Sequence, residues 1–160
     1  MKLYMRQKVF SWTDRFTVWD EAGSEVYHVE GELFSWGKRL HVEDAVLGGE
    51  AALLQQKLFT LLPRYRVFIG DSCAAEIVKE FTLLRQAYTV EGPGWTAEGD
   101  LLAHDYALTA RDRPVAEIHK QWMTWGDCYE LDVARDQDAL LALMVVLAID
   151  CAMAAAASAS

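Results

Sequence analysis

Three cations flank one proline in the middle of the chain: Lys57, Arg64 and Arg66, around Pro63. Ammonium and guanidinium groups brought to one turn suit a phosphate, which they hold by charge-assisted hydrogen bonds. Lys38 and Arg39 form a second basic pair beside Gly37. The plain alternative for all five is a solvated surface, the usual place of turn-adjacent Lys and Arg.

Other chemistry has weaker claims. His28, His41, His104 and His119 share no ligand-like spacing. A metal site would have to be assembled from distant strands, so they are read as ordinary strand or turn histidines. Cys73, Cys128 and Cys151 are odd in number and form no Cys-x-x-Cys pair, which suits reduced thiols in a cytoplasm. Gly48-Gly49 and Gly92-Pro93-Gly94 are turns rather than phosphate cradles, because no helix follows either. There is no nucleophile elbow, phosphate loop, zinc-protease helix or dinucleotide fingerprint. No catalytic residue, cofactor or metal is therefore expected. Trp12, Trp36 and Trp125 each follow a Ser or Thr in similar surroundings, and a repeated position favours a structural role at strand ends over a binding platform.

The elements that position these residues follow from pattern. From Ala139 to Ile149 every residue is apolar, with no Gly or Pro. Ala, Leu and Met favour helix. A helix apolar on every face must be surrounded. Eleven residues fall short of the ~20 that a membrane span needs, and Asp150 interrupts the run with no basic residue beyond it. The helix, expected over 136–157 with Asp136 as its cap, should therefore be enclosed by protein, with 158–160 as a frayed tail. Asp150 should reach water or a polar group near the mouth of whatever encloses it.

Upstream, Lys8-Val9-Phe10-Ser11-Trp12 resembles Glu32-Leu33-Phe34-Ser35-Trp36. Both resemble Lys57-Leu58-Phe59-Thr60-Leu61 and Lys79-Glu80-Phe81-Thr82-Leu83. Asp100-Leu101-Leu102-Ala103-His104 and Gln121-Trp122-Met123-Thr124-Trp125 extend the series, so residues 10, 34, 59, 81, 102 and 123 are its anchors. Each unit has room for two strands and two turns but not for a helical crossover. Strand-like runs include 16–19, 26–33, 51–59, 74–81 and 95–102, punctuated by Gly and Pro. About twelve antiparallel strands result. An open sheet of that size would leave exposed edges, and closure removes them. A barrel so wide cannot fill its interior with its own side chains. The expected fold is mainly β: a closed twelve-stranded antiparallel barrel enclosing the C-terminal hydrophobic helix, one domain over 1–157.

Several segments carry a family resemblance: Arg6-Gln7-Lys8-Val9-Phe10-Ser11, Val29 to Ser35, Gln56 to Tyr65, Val78 to Thr82, Glu98-Gly99-Asp100 and His119 to Asp127. On these, nearly the whole chain resembles the LURP-one-related (LOR) family, within the Tubby C-terminal-like superfamily. The resemblance implies a twelve-stranded barrel around a central helix and supplies no catalytic residues. Tubby-type domains bind phosphoinositides, which makes Lys57, Arg64 and Arg66 the lipid-headgroup candidates.

The net charge of −9 opposes non-specific binding to nucleic acid or anionic membrane. The expected function is a non-enzymatic, cytoplasmic binding or scaffold domain, with no nucleic-acid partner and no transmembrane segment. The alternatives are a phosphoinositide or membrane-surface adaptor with a phospholipid headgroup or protein partner, and an enzyme with a site at the barrel mouth.

Overall fold

The computed structural model describes residues 1–6, 15–32, 35–123 and 126–160. Twelve strands come first. They are β1 (Lys2–Arg6), β2 (Arg15–Asp20), β3 (Glu25–Gly31), β4 (Arg39–Asp44), β5 (Glu50–Gln56) and β6 (Arg64–Ile69). They continue with β7 (Ser72–Lys79), β8 (Ala87–Glu91), β9 (Trp95–Asp100), β10 (Asp105–Ala110), β11 (Arg113–Met123) and β12 (Gly126–Val133). Each pairs antiparallel with its sequence neighbours, and β1 closes on β12, with Lys2 opposite Asp132 and Arg6 opposite Cys128. The expected closed barrel is what forms. The strand runs read from the sequence begin at Phe16; the structure adds β1.

A single 3-10 turn, Asp136–Asp138, leads into α1 (Ala139–Ser158), which fills the barrel. Asp136 lies inside that turn and is not the cap expected of it. Asp138 occupies the cap position without capping, because its carboxylate is held by Arg135 at 2.8 Å. Leu143 to Ile149 have no exposed surface at all. The helix is long and apolar enough to cross a membrane, but here it is the core.

Alternate strand residues meet it: Leu3 and Met5, Val18, Leu40 and Val42, Leu54, Val67, Ile77, Val90, Leu108, Ile118 and Leu131 are all buried. This is the two-residue period of a sheet with one face on the core.

Odd-to-even connections all fall at the end where the helix emerges, here called the loop end. Among the described residues they are 32, 35–38, 57–63, 80–86 and 101–104. The opposite, turn end has shorter connections, such as 70–71 and 111–112. The described anchors of the sequence repeat mark the loop end, and of them only Met123 lies in a strand, as the last residue of β11. Phe59, Phe81 and Leu102 follow β5, β7 and β9 instead of ending them. β5 stops at Gln56, and the Lys57 amide then donates to the Arg64 carbonyl at 2.9 Å to open the turn. Anchors 10 and 34 lie outside the described residues, as do Trp12 and Trp125.

Core substitutions should separate from surface ones in urea unfolding. Leu143→Ala should cost about 2–5 kcal/mol, whereas Leu84→Ala should change stability by no more than about 0.5 kcal/mol. Val146→Asp should abolish cooperative folding, since it buries a carboxylate inside the barrel.

Candidate functional site

The strand order brings the three candidate cations together on the outer wall, around a carboxylate that the sequence does not nominate. Arg64 and Arg66 point outward from β6, and Lys57 follows β5. Glu76 of β7 lies opposite Arg66. Its carboxylate meets Arg64 at 3.1 Å, Arg66 at 3.5 Å and Lys57 at 3.6 Å. Burial pushes the Glu76 carboxyl up, but Arg64, Lys57 and Arg66 outweigh it and hold it below the ordinary carboxylate range. Arg64 also reaches Glu91 at 3.9 Å. The cluster keeps positive charge in excess, but it is internally braced.

Beneath the loop end the lumen turns polar. Tyr65, Tyr88 and Tyr106 are each the second residue of their strand from that end, and Tyr129 of β12 joins them inside. Asp150 on α1 is buried among them, and its Oδ1 lies 3.0 Å from His104 Nε2. The expectation that Asp150 meets a polar group near the mouth holds, and the group is His104. The His104 ring stacks on Tyr129 with centroids 4.0 Å apart. Burial pushes the Asp150 carboxyl up against the opposing pull of His104. Burial likewise lifts Tyr88 to about 12, and Tyr106 well above its ordinary value. Gly99 makes the close approach to Tyr106 workable: at φ +139, a Cβ there would lie 2.7 Å from the Tyr106 Cα.

Beside the helix end, Lys38, Gln56, Tyr65, Cys151 and Ser158 line a mouth cavity of about 160 Å³. Burial raises the Cys151 thiol to about 12, which leaves it a poor nucleophile.

The other histidines pair with surface carboxylates. His41 sits between Glu32 and Glu50, His119 between Asp105 and Glu117, and His28 against Glu25. Both ring nitrogens of His41 and His119 are thereby engaged. Among the described residues no cluster of His, Cys, Asp or Glu could hold a metal.

The loop end also carries the exposed apolar surface. Phe59 and Leu61 are fully exposed, Leu84 98 % and Trp36 86 %. Phe81, Leu83 and Leu102 stand out with them. Of the other large apolar side chains exposed among the described residues, only Met1, Val46 and Leu47 lie at the turn end. Trp36 is thus at a strand end, as the repeat suggests, but it packs on little. Phe59 also holds φ at +58, a left-handed backbone that costs a non-glycine residue about 1–2 kcal/mol. Its side chain contributes nothing to the core; His104 and Arg111 hold the same backbone region, at φ +54 and +56.

The sequence profile of the LURP-one-related family matches residues 1–150. The chain belongs to that family. A relative, the "Uncharacterized protein YxjI" of Bacillus subtilis (strain 168), is 33% identical over 150 residues, covering 94% of this chain and 92% of that protein. The X-ray structure of the Arabidopsis thaliana protein AT5G01750 shares the fold, with a TM-score of 0.60 at 16% identity over 91% of this chain and 88% of that one. The solved structure agrees with the barrel and helix, and neither protein's name gives a ligand.

Three measurements follow. Glu76 is held below its unfolded value, so its contribution is complete above about pH 4.3 and is lost as pH falls through the folded value. Glu76→Gln should flatten that acid limb of stability. Burial lowers His41 and His119, but their carboxylate partners outweigh it and raise both. Their contribution is therefore complete below about pH 6.5 and is lost as pH rises through the folded values, so the urea midpoint of His41→Gln should depend less on pH there. Asp150→Leu should cost about 1–3 kcal/mol in urea unfolding, because it leaves a buried His104 nitrogen unpaired.

Proposed function

We propose that the chain is a non-enzymatic binding module of the LURP-one-related type that engages its partner through the loop end. One observation carries this reading: the exposed apolar side chains gather on the connections at that end, led by Phe59 in its strained left-handed conformation. Monomeric surfaces rarely leave such groups together without a use. His104, Asp150 and Tyr106 are packed beneath the mouth, Cys151 lines only the small mouth cavity as a thiol raised to about 12, and His28, His41 and His119 are held by surface carboxylates. That supports binding over catalysis. The three cysteines are thiols, in keeping with a cytoplasmic setting.

Lys57, Arg64 and Arg66 sit at the base of the Phe59 connection, which favours the adaptor form of this reading, with phospholipid headgroups among its ligands. The test is position-specific. A benzophenone amino acid placed at Phe59 or Phe81 should form photo-adducts in living cells, whether to protein or to lipid. The same group at Val46 or Leu47 should form few. Equal yields at both ends, or none at the loop end, would remove the reading.

A further inference from the structure

We propose that the loop end docks on an anionic lipid surface through its overall charge, without a headgroup pocket; this rests on the loop end being the binding face. The first support is shape. Exposed apolar side chains come from separate connections, those holding Trp36, Phe59, Phe81 and Leu102, with polar residues between them. Separate protruding tips suit a fluid interface, where each enters independently, better than a rigid complementary groove. Trp and Phe are the side chains favoured at such depth.

The second support is the distribution of charge. The chain is acidic overall, but the acids crowd the turn end. Among the described residues, Asp20, Glu21, Asp44, Asp71, Asp112 and Asp136 lie on or beside connections there. Lys2, Arg111, Arg113 and Arg135 only partly offset them. At the loop end the balance reverses: Arg15, Arg39, Lys57, Arg64, Lys79 and Arg85 flank or occupy its connections. Glu32, Glu80, Asp100 and Asp105 only partly offset them, with Arg15 paired to Glu30, Arg39 to Glu32 and Arg85 to Glu98. An anionic surface would repel one end and attract the other, and so orient the molecule with its tips forward. The net charge of −9 argues against docking only for the wrong orientation.

The third support is local. Cations stand at the base of three tips: Arg39 near Trp36, Lys57 and Arg64 around Phe59 and Leu61, and Lys79 and Arg85 around Phe81 and Leu84. The Leu102 tip lies between two acids, Asp100 and Asp105, and shares only Arg85 with the neighbouring Leu84 tip. Docking is therefore tilted, with the first three tips entering and Leu102 riding higher. Glu76 already braces Arg64, Arg66 and Lys57. They act as a source of field and not as an empty cradle, so surface charge should matter and headgroup identity should not.

Flotation of the purified full chain tests this. The vesicles are phosphatidylcholine alone, phosphatidylcholine with about 30 % phosphatidylserine, and a phosphoinositide mixture matched in surface charge. Binding should appear equally on both anionic mixtures, be absent from phosphatidylcholine alone, and fade as salt rises from about 0.1 M to about 0.5 M. A basic residue near such a surface is worth about fivefold in affinity. Lys57→Ala with Arg66→Ala should lose about tenfold or more, while Arg64 keeps Glu76 paired. Phe59→Ser with Leu61→Ser should also lose about tenfold or more, with an unchanged melting temperature, because both side chains are fully exposed in the fold. An environment-sensitive fluorophore should shift blue on docking at residues 36, 59 and 81, and much less at 102.

Preference for the phosphoinositide at matched charge would overturn the field mechanism in favour of a built site. Binding to phosphatidylcholine alone as strong as to the anionic vesicles would overturn the role of charge. No vesicle binding, with loop-end photo-adducts on protein, would overturn the lipid partner and leave the binding face intact. No vesicle binding and no loop-end adducts would remove both.

Discussion

The whole structure depends on filling a space. Twelve strands closed edge to edge enclose a lumen that their own side chains cannot occupy. Water there would face apolar side chains from every strand, mostly Leu, Val and Ile, with Trp95 and Ala97 from β9. The filler needs a backbone that satisfies its own hydrogen bonds and has no polar face, which describes an all-apolar helix. α1 meets the need over Leu143 to Ile149. Barrel and helix are each implausible alone: one would be hollow, the other insoluble.

The same constraint explains why chemistry collects at one end. Polar side chains cannot enter the middle of the lumen, so Asp150 sits where α1 leaves it, and the tyrosines of β6, β8, β10 and β12 receive it together with His104. This buried layer closes the mouth, joined by the His104–Asp150 contact, while the Tyr106 hydroxyl and Asp150 Oδ2 have no hydrogen-bond partner among the described residues. Above it, the connections are released from the core and are free to vary in chemistry. The barrel holds these connections in place without using their side chains.

Much of this was legible in the sequence because it rests on local composition. Ala139 to Ile149 declares an enclosed helix, and the Gly and Pro spacing declares short antiparallel strands. The anchors at 59, 81 and 102 misled because runs such as Leu58-Phe59-Thr60-Leu61 and Phe81-Thr82-Leu83 have the composition of a strand whether they lie in a sheet or tip a connection. Composition reports preference, whereas exposure is decided by the closure of the ladder. Lys57, Arg64 and Arg66 were legible as a group, but their carboxylate partner was not. A simple hairpin about residues 70–71 would set Arg66 opposite Ala75. The register shift between Val67 and Phe68 brings Glu76 there instead. The contact of His104 with Asp150 spans 46 residues and follows from no spacing in the chain.

The order of elements has a consequence for synthesis. The helix that completes the core follows all twelve strands in the chain, and β1 finds its second neighbour only when β12 exists. As the chain emerges from a ribosome, strands pair with local partners, but the sheet stays open and one face stays apolar. Pairing between distant segments is slow to form, and unpaired edges invite association with other chains. The nascent barrel is therefore a client for holding factors until β12 and α1 are released. A stalled or truncated product would be an aggregation hazard out of proportion to the length it lacks.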